Sequence, residues 1–115
     1  MKYFDEDKII DFIDGFRVFG RDVRECFTQA NCYWFAYILH TRFPQSIIMI
    51  NITVSHFACK IDDELYDITG NCSNSYDGEW VSWYEYQTID PAHSKRIIHY
   101  CIDKNYEEVE WQKWN

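Results

Sequence analysis

From Cys32 to Phe43 the chain is apolar on nearly every side of a helix. Cys32, Phe35, Ala36, Leu39 and Phe43 form one stripe at helical spacing, and Tyr33, Trp34, Tyr37 and Ile38 fill most of the remaining circumference. Such a helix has little polar surface to offer water, so it belongs at the centre of a domain, with other elements packed around it. Pro44 ends it, because the residue before a proline is pushed out of the helical region. With 115 residues in all, the flanking segments have material for one core, so residues 1–115 read as a single domain.

The flanks divide by periodicity. Residues 5–19 place Ile9, Phe12, Ile13, Phe16 and Phe19 at helical spacing, with Asp11, Asp14 and Arg17 opposite, Asp5 as N-cap and Gly20 as stop. Residues 20–30 are polar and read as a loop, of which 23–27 could form a turn of helix. Residues 47–54 are β-branched and predict a central strand; 55–61 and 65–68 predict two more, joined by a tight acidic turn at Asp62, Asp63 and Glu64. Residues 70–78 read as a loop. Asp77 is placed to cap a short helix from Glu79, with Trp80, Trp83 and Tyr84 on one face. Asp90 and Pro91 open a last element, read as a helix, although 96–102 would also serve as a strand. The tail from Tyr106 is acidic and carries Trp111 and Trp114. The expected fold class is α+β, a central helix packed on a small antiparallel sheet.

Composition narrows the chemistry. Five cysteines is an odd number, and no two are close, which argues for reduced thiols in a cytoplasmic setting rather than a disulfide scaffold. The N-terminus is charged rather than signal-like, and no apolar run approaches the roughly 18–20 residues of a membrane span. A net charge of −8 argues against direct binding to nucleic acid or an anionic membrane, and suits attraction to a basic partner surface.

Cys32, His56 and Asp67 are the residues that look like chemistry. Cys32 opens the central helix, where unpaired backbone N–H groups favour a thiolate and could also receive an oxyanion. Strand parity sets His56, Ala58 and Lys60 on one face and Phe57, Cys59 and Ile61 on the other. A two-residue turn at Asp62 and Asp63 pairs Ile61 with Glu64 and Ala58 with Asp67. His56 and Asp67 are then diagonal neighbours on one face, roughly 7–8 Å apart at the backbone. Gln29 and Asn31 are candidates for the donor that completes an oxyanion hole, and Trp83 for a wall of a substrate groove beside the cysteine. Zinc is disfavoured: there is no Cys-x-x-Cys, and His56 and Cys59 point to opposite faces of their strand. No metal or other cofactor is expected.

The pieces Asn31-Cys32-Tyr33-Trp34-Phe35-Ala36, His56-Phe57-Ala58-Cys59-Lys60-Ile61 and Tyr66-Asp67-Ile68-Thr69-Gly70 resemble the papain-like superfamily, in its small transglutaminase-like and cysteine-peptidase-like branches. The chain is also similar to small proteins of bacteria and their phages that carry this pattern. The resemblance spans about residues 28–70. It implies a minimal papain-like fold with Cys32 as nucleophile, His56 as general base and then acid, and Asp67 as the group that orients the imidazole. Two departures stand out: a second lobe is lacking, and the family's oxyanion glutamine lies further before the cysteine than Gln29 does. The implied function is a cysteine-dependent hydrolase or acyltransferase acting on an amide, thioester or glutamine side chain of a protein or peptide. The rival expectation is a non-catalytic, anti-CRISPR-like phage inhibitor that binds a basic groove of a host defence protein.

Overall fold

Asp5 starts the first helix as expected: its Oδ1 accepts the N–H of Asp7 at 2.9 Å, and Glu6 and Asp7 sit in the positive first turn. The computed structural model of the chain describes residues 5–17 and 32–99. Helix α1 is Glu6–Arg17 and buries Ile9 and Ile13, while Gly15 lies on its open side. Its expected end at Phe19 and Gly20, the loop over 20–30, and the acidic tail lie outside the described residues.

Helix α2, Cys32–Arg42, buries Phe35, Ala36 and Leu39, and Phe43 continues the stripe as the chain turns at Pro44. Tyr33, Trp34 and Ile38 are half-buried and Tyr37 faces solvent. The helix is central, with one side left to water.

Five antiparallel strands follow: β1 Ile47–Asn51, β2 His56–Ile61, β3 Glu64–Asp67, β4 Gly70–Asn71 and β5 Trp80–Ser82, in the order β4-β3-β2-β1-β5. Asp62 and Asp63 have φ of 50° and 70°, the left-handed pair of a two-residue hairpin turn whose twist matches its strands. The register is the expected one, with Ile61 opposite Glu64 and Cys59 opposite Tyr66.

Three expectations are corrected. The strand predicted over 47–54 stops at Asn51, because the Asn51 Oδ1 accepts the N–H groups of Thr53 and Val54 at 3.0 and 3.3 Å and bends the chain. The loop predicted over 70–78 begins with the two paired residues of β4. The helix predicted from Glu79 begins four residues later, at Trp83, after β5 has covered the open edge of β1 with Val81 opposite Ile50. Its cap is Ser82, not Asp77, whose carbonyl accepts a hydrogen bond from Asn51 Nδ2. Helix α3 is Trp83–Ile89 and α4 is Pro91–Ile97, so residues 91–97 are helical, not strand. Asp90 joins the two: its N–H bonds the Tyr86 carbonyl at 2.9 Å and its carboxylate accepts from His93 N at 3.0 Å.

Among the described residues all four helices pack toward the Phe57, Cys59 and Ile61 face of the sheet. Ile9, Ile13, Phe35, Leu39 and Phe43 meet Cys59, Ile61 and Tyr66; Ala36, Trp83, Tyr86 and Ile97 meet Ile50 and Phe57. On the other face Asn51, His56, Ala58 and Asp67 are also buried. The connection between β4 and β5 crosses there, tied by Asn51 to Asp77 at 3.0 Å. At Gly78, with φ of 106°, a Cβ would collide with Thr53 and come within 3.0 Å of Asn51 Oδ1, so only glycine allows this approach. Among the described residues no helix is long and apolar enough to cross a membrane.

Candidate active site

Cys32 is the first residue of α2 and His56 the first of β2, so helix start and strand start meet at one end of the sheet. Asp67 ends β3, across the tight turn from His56. The register places His56 and Asp67 on the same face, and His56 Nε2 lies 2.8 Å from Asp67 Oδ2. The Cys32 thiol lies beside the same imidazole, close enough to raise its pKa. Asp67 occupies Nε2, which leaves Nδ1 for the sulfur. Cys32 is half-buried, whereas His56 and Asp67 are 6% and 4% exposed.

Burial alone would depress the His56 pKa. Hydrogen bonds to Asp67 and Cys32, with the negative charges of both, reverse that and raise it to about 9. Burial would likewise raise the Asp67 carboxyl, but hydrogen bonds from His56 and from the Thr69 hydroxyl and N–H hold it below the ordinary carboxylate value. The Thr69 N–H reaches Asp67 Oδ1 at 2.8 Å, so each carboxylate oxygen has a donor of its own. Near neutral pH the ring is therefore an imidazolium, bonded to Asp67 and with Cys32 beside it. That arrangement can stabilise a thiolate and later deliver a proton.

Two further groups surround this chain of bonds. The Tyr76 ring lies 4.5 Å from the His56 ring at 32°, and its hydroxyl is 3.5 Å from Asp67 Oδ2. Trp80 sits edge-on at 6.2 Å. The Cys72 thiol is buried beside Asp67; burial first, and the carboxylate second, push its pKa up and keep it protonated.

The structure thus brings Cys32, His56 and Asp67 together. Trp83 is elsewhere: it is 7% exposed, edge-on to Phe57 at 5.1 Å and packed with Tyr86, so its surface is taken up by the core. Tyr84, expected on the same face, is 83% exposed. Gln29 and Asn31 lie outside the described residues. Sequence reasoning missed Thr69, Cys72 and Tyr76. Thr69 had a signal, since Asp-x-Thr after a strand is a common side-chain-to-backbone turn; Cys72 and Tyr76 had none, because they arrive on an irregular connection. Among the described residues no group of three or more His, Cys, Asp or Glu side chains is placed to hold a metal ion.

A family model described as "Phage YunG-like protein" matches residues 9–113. No curated protein and no solved structure matches the chain.

Proposed function

The chain belongs to the phage YunG-like protein family, and we propose that its Cys32, His56 and Asp67 form the working site of a cysteine-dependent hydrolase or acyltransferase. The observation that carries this reading is the imidazole set between two partners, bonded to Asp67 Oδ2 at 2.8 Å and with the Cys32 thiol beside it. The order of the three residues supports a papain-like architecture of the transglutaminase-like or cysteine-peptidase-like kind. The substrate is an amide, thioester or glutamine carboxamide of a protein or peptide.

In this mechanism the Cys32 thiolate attacks the carbonyl carbon, and the oxyanion forms beside the N-terminal N–H groups of α2. His56 gives its Nδ1 proton to the departing amine as the carbon–nitrogen bond breaks, leaving a thioester on Cys32. The now neutral imidazole takes a proton from water or from an acceptor amine, whose attack releases the acyl group and regenerates the thiolate. Asp67 keeps Nε2 occupied throughout, so the ring presents Nδ1 in both halves of the cycle.

The test is alkylation by iodoacetamide near neutral pH, with adducts mapped by mass spectrometry. Cys32 is expected to react well ahead of Cys72, and His56→Gln to remove the difference. Equal reactivity of the two thiols would sink the reading. A second reading, a non-catalytic phage-type inhibitor that occupies a basic groove of a host protein, is favoured by the net charge of −8. Cys32→Ala separates the two: it abolishes an enzyme's effect and spares a binder's.

A further inference from the structure

The connection between β4 and β5 is a long way to travel for a chain that needs only to reach the far edge of the sheet. It crosses the face opposite the helices, and it is fixed there at two points: Asn51 Nδ2 holds the Asp77 carbonyl, and Gly78 lies against Thr53 and Asn51 where no other residue fits. Between β4 and these fixings stands Tyr76. Its ring is laid over the imidazole with centroids 4.5 Å apart, and its hydroxyl approaches the carboxylate oxygen that His56 already uses. Trp80, 6.2 Å from both rings, closes the side.

Resting on the catalytic reading above, we propose that Tyr76 is a positioning residue: its ring seals the His56 Nε2–H···Oδ2 Asp67 bond from water and thereby keeps the ring turned with Nδ1 toward Cys32. A hydrogen bond between a buried carboxylate and a ring N–H competes with water for both partners, and covering it with an apolar face removes the competitor. An aromatic face over an imidazolium adds a favourable cation–π contact that a neutral ring would not receive. The hydroxyl contact, at 3.5 Å, is long and contributes less than the ring face.

Two proton magnetic resonance measurements and one rate test this. In the unaltered protein the Tyr76 ring protons should show nuclear Overhauser contacts to the His56 ring; their absence overturns the proposal without any substitution. The His56 ring N–H should give a downfield signal slow to exchange with water. Tyr76→Phe should keep that signal and the Cys32 alkylation rate, because the face is retained. Tyr76→Leu should lose the signal to exchange and slow alkylation several-fold. A reactive Cys32 with ring proton and rate both unchanged in Tyr76→Leu sinks the seal alone. A Cys32 that is unreactive in the unaltered protein sinks the catalytic reading, and the seal's role with it.

Discussion

At His56, burial pulls against hydrogen bonding and charge, and the latter two, from Asp67 and Cys32, win. A ring whose pKa rises from 6.5 to about 9 on folding binds a proton more tightly in the native state. Its contribution to stability is therefore complete below about pH 6.5 and is lost as pH climbs through about 9. The lowered Asp67 carboxyl behaves in the reverse sense. Its contribution is present above the ordinary value of 3.8 and is lost as acid carries the pH down through the lowered one. The gap in urea midpoint between the protein and its His56→Gln variant should consequently narrow from pH 6.5 to pH 9. A gap that stays constant over that window would mean that the imidazole is not held as a cation. The same proton serves the proposed chemistry, so kcat/KM is expected to fall on the alkaline side near pH 9, where His56 can no longer act as the acid.

Among the elements, α2 and the β2–β3 hairpin hold Cys32, His56 and Asp67, and the connection from β4 to β5 covers the imidazole. Leu39 is fully buried between α1 and the sheet, so Leu39→Ala should cost about 2–5 kcal/mol, read as a fall in urea midpoint. Asn51 is also fully buried, with its carboxamide bonding Thr53, Val54 and Asp77. Asn51→Ala should cost about 1–3 kcal/mol and release the segment that carries Tyr76. Gly78→Ala tests the same segment by sterics, since its φ of 106° and its contact with Thr53 leave no place for a methyl. The expected loss is about 1–3 kcal/mol, measured by denaturation, together with faster exchange of the His56 ring proton. If Gly78→Ala is as stable as the parent, the close crossing described for this connection does not exist in solution.

For the molecule as a whole, a net charge of −8 makes the folded state repel itself. The exposed Lys60–Asp63 pair at 3.7 Å does little against this. Adding salt to about 0.15 M, where the screening length is about 8 Å, should raise the midpoint of thermal unfolding. The buried His56–Asp67 bond lies out of the reach of that screening. How far this molecule could be read in advance follows from where its information sits. The α2 stripe, the acidic turn and the pairing of Ile61 with Glu64 were legible because each rests on local periodicity or turn chemistry, and that register brought His56 to Asp67. The end of β1 was not, because a β-branched run through Val54 hides a side chain, Asn51, that turns the backbone. Nor was β5, where Trp80-Val81-Ser82 reads equally well as helix until the open edge of β1 claims it. The groove wall beside the cysteine was expected from Trp83, which the core absorbs, while Tyr76 reaches the imidazole only through contacts distant in sequence.

His56 and Asp67 stand on one hairpin, whereas Cys32 must be delivered by a helix that forms separately. Short-range pairs close early in folding and distant ones late. A folding chain would on this account hold His56 and Asp67 partnered but harmless, and the sulfur would gain bite only as α2 docked beside that hairpin. Reactivity and completed structure would then arrive together, sparing a half-made molecule from attacking its neighbours.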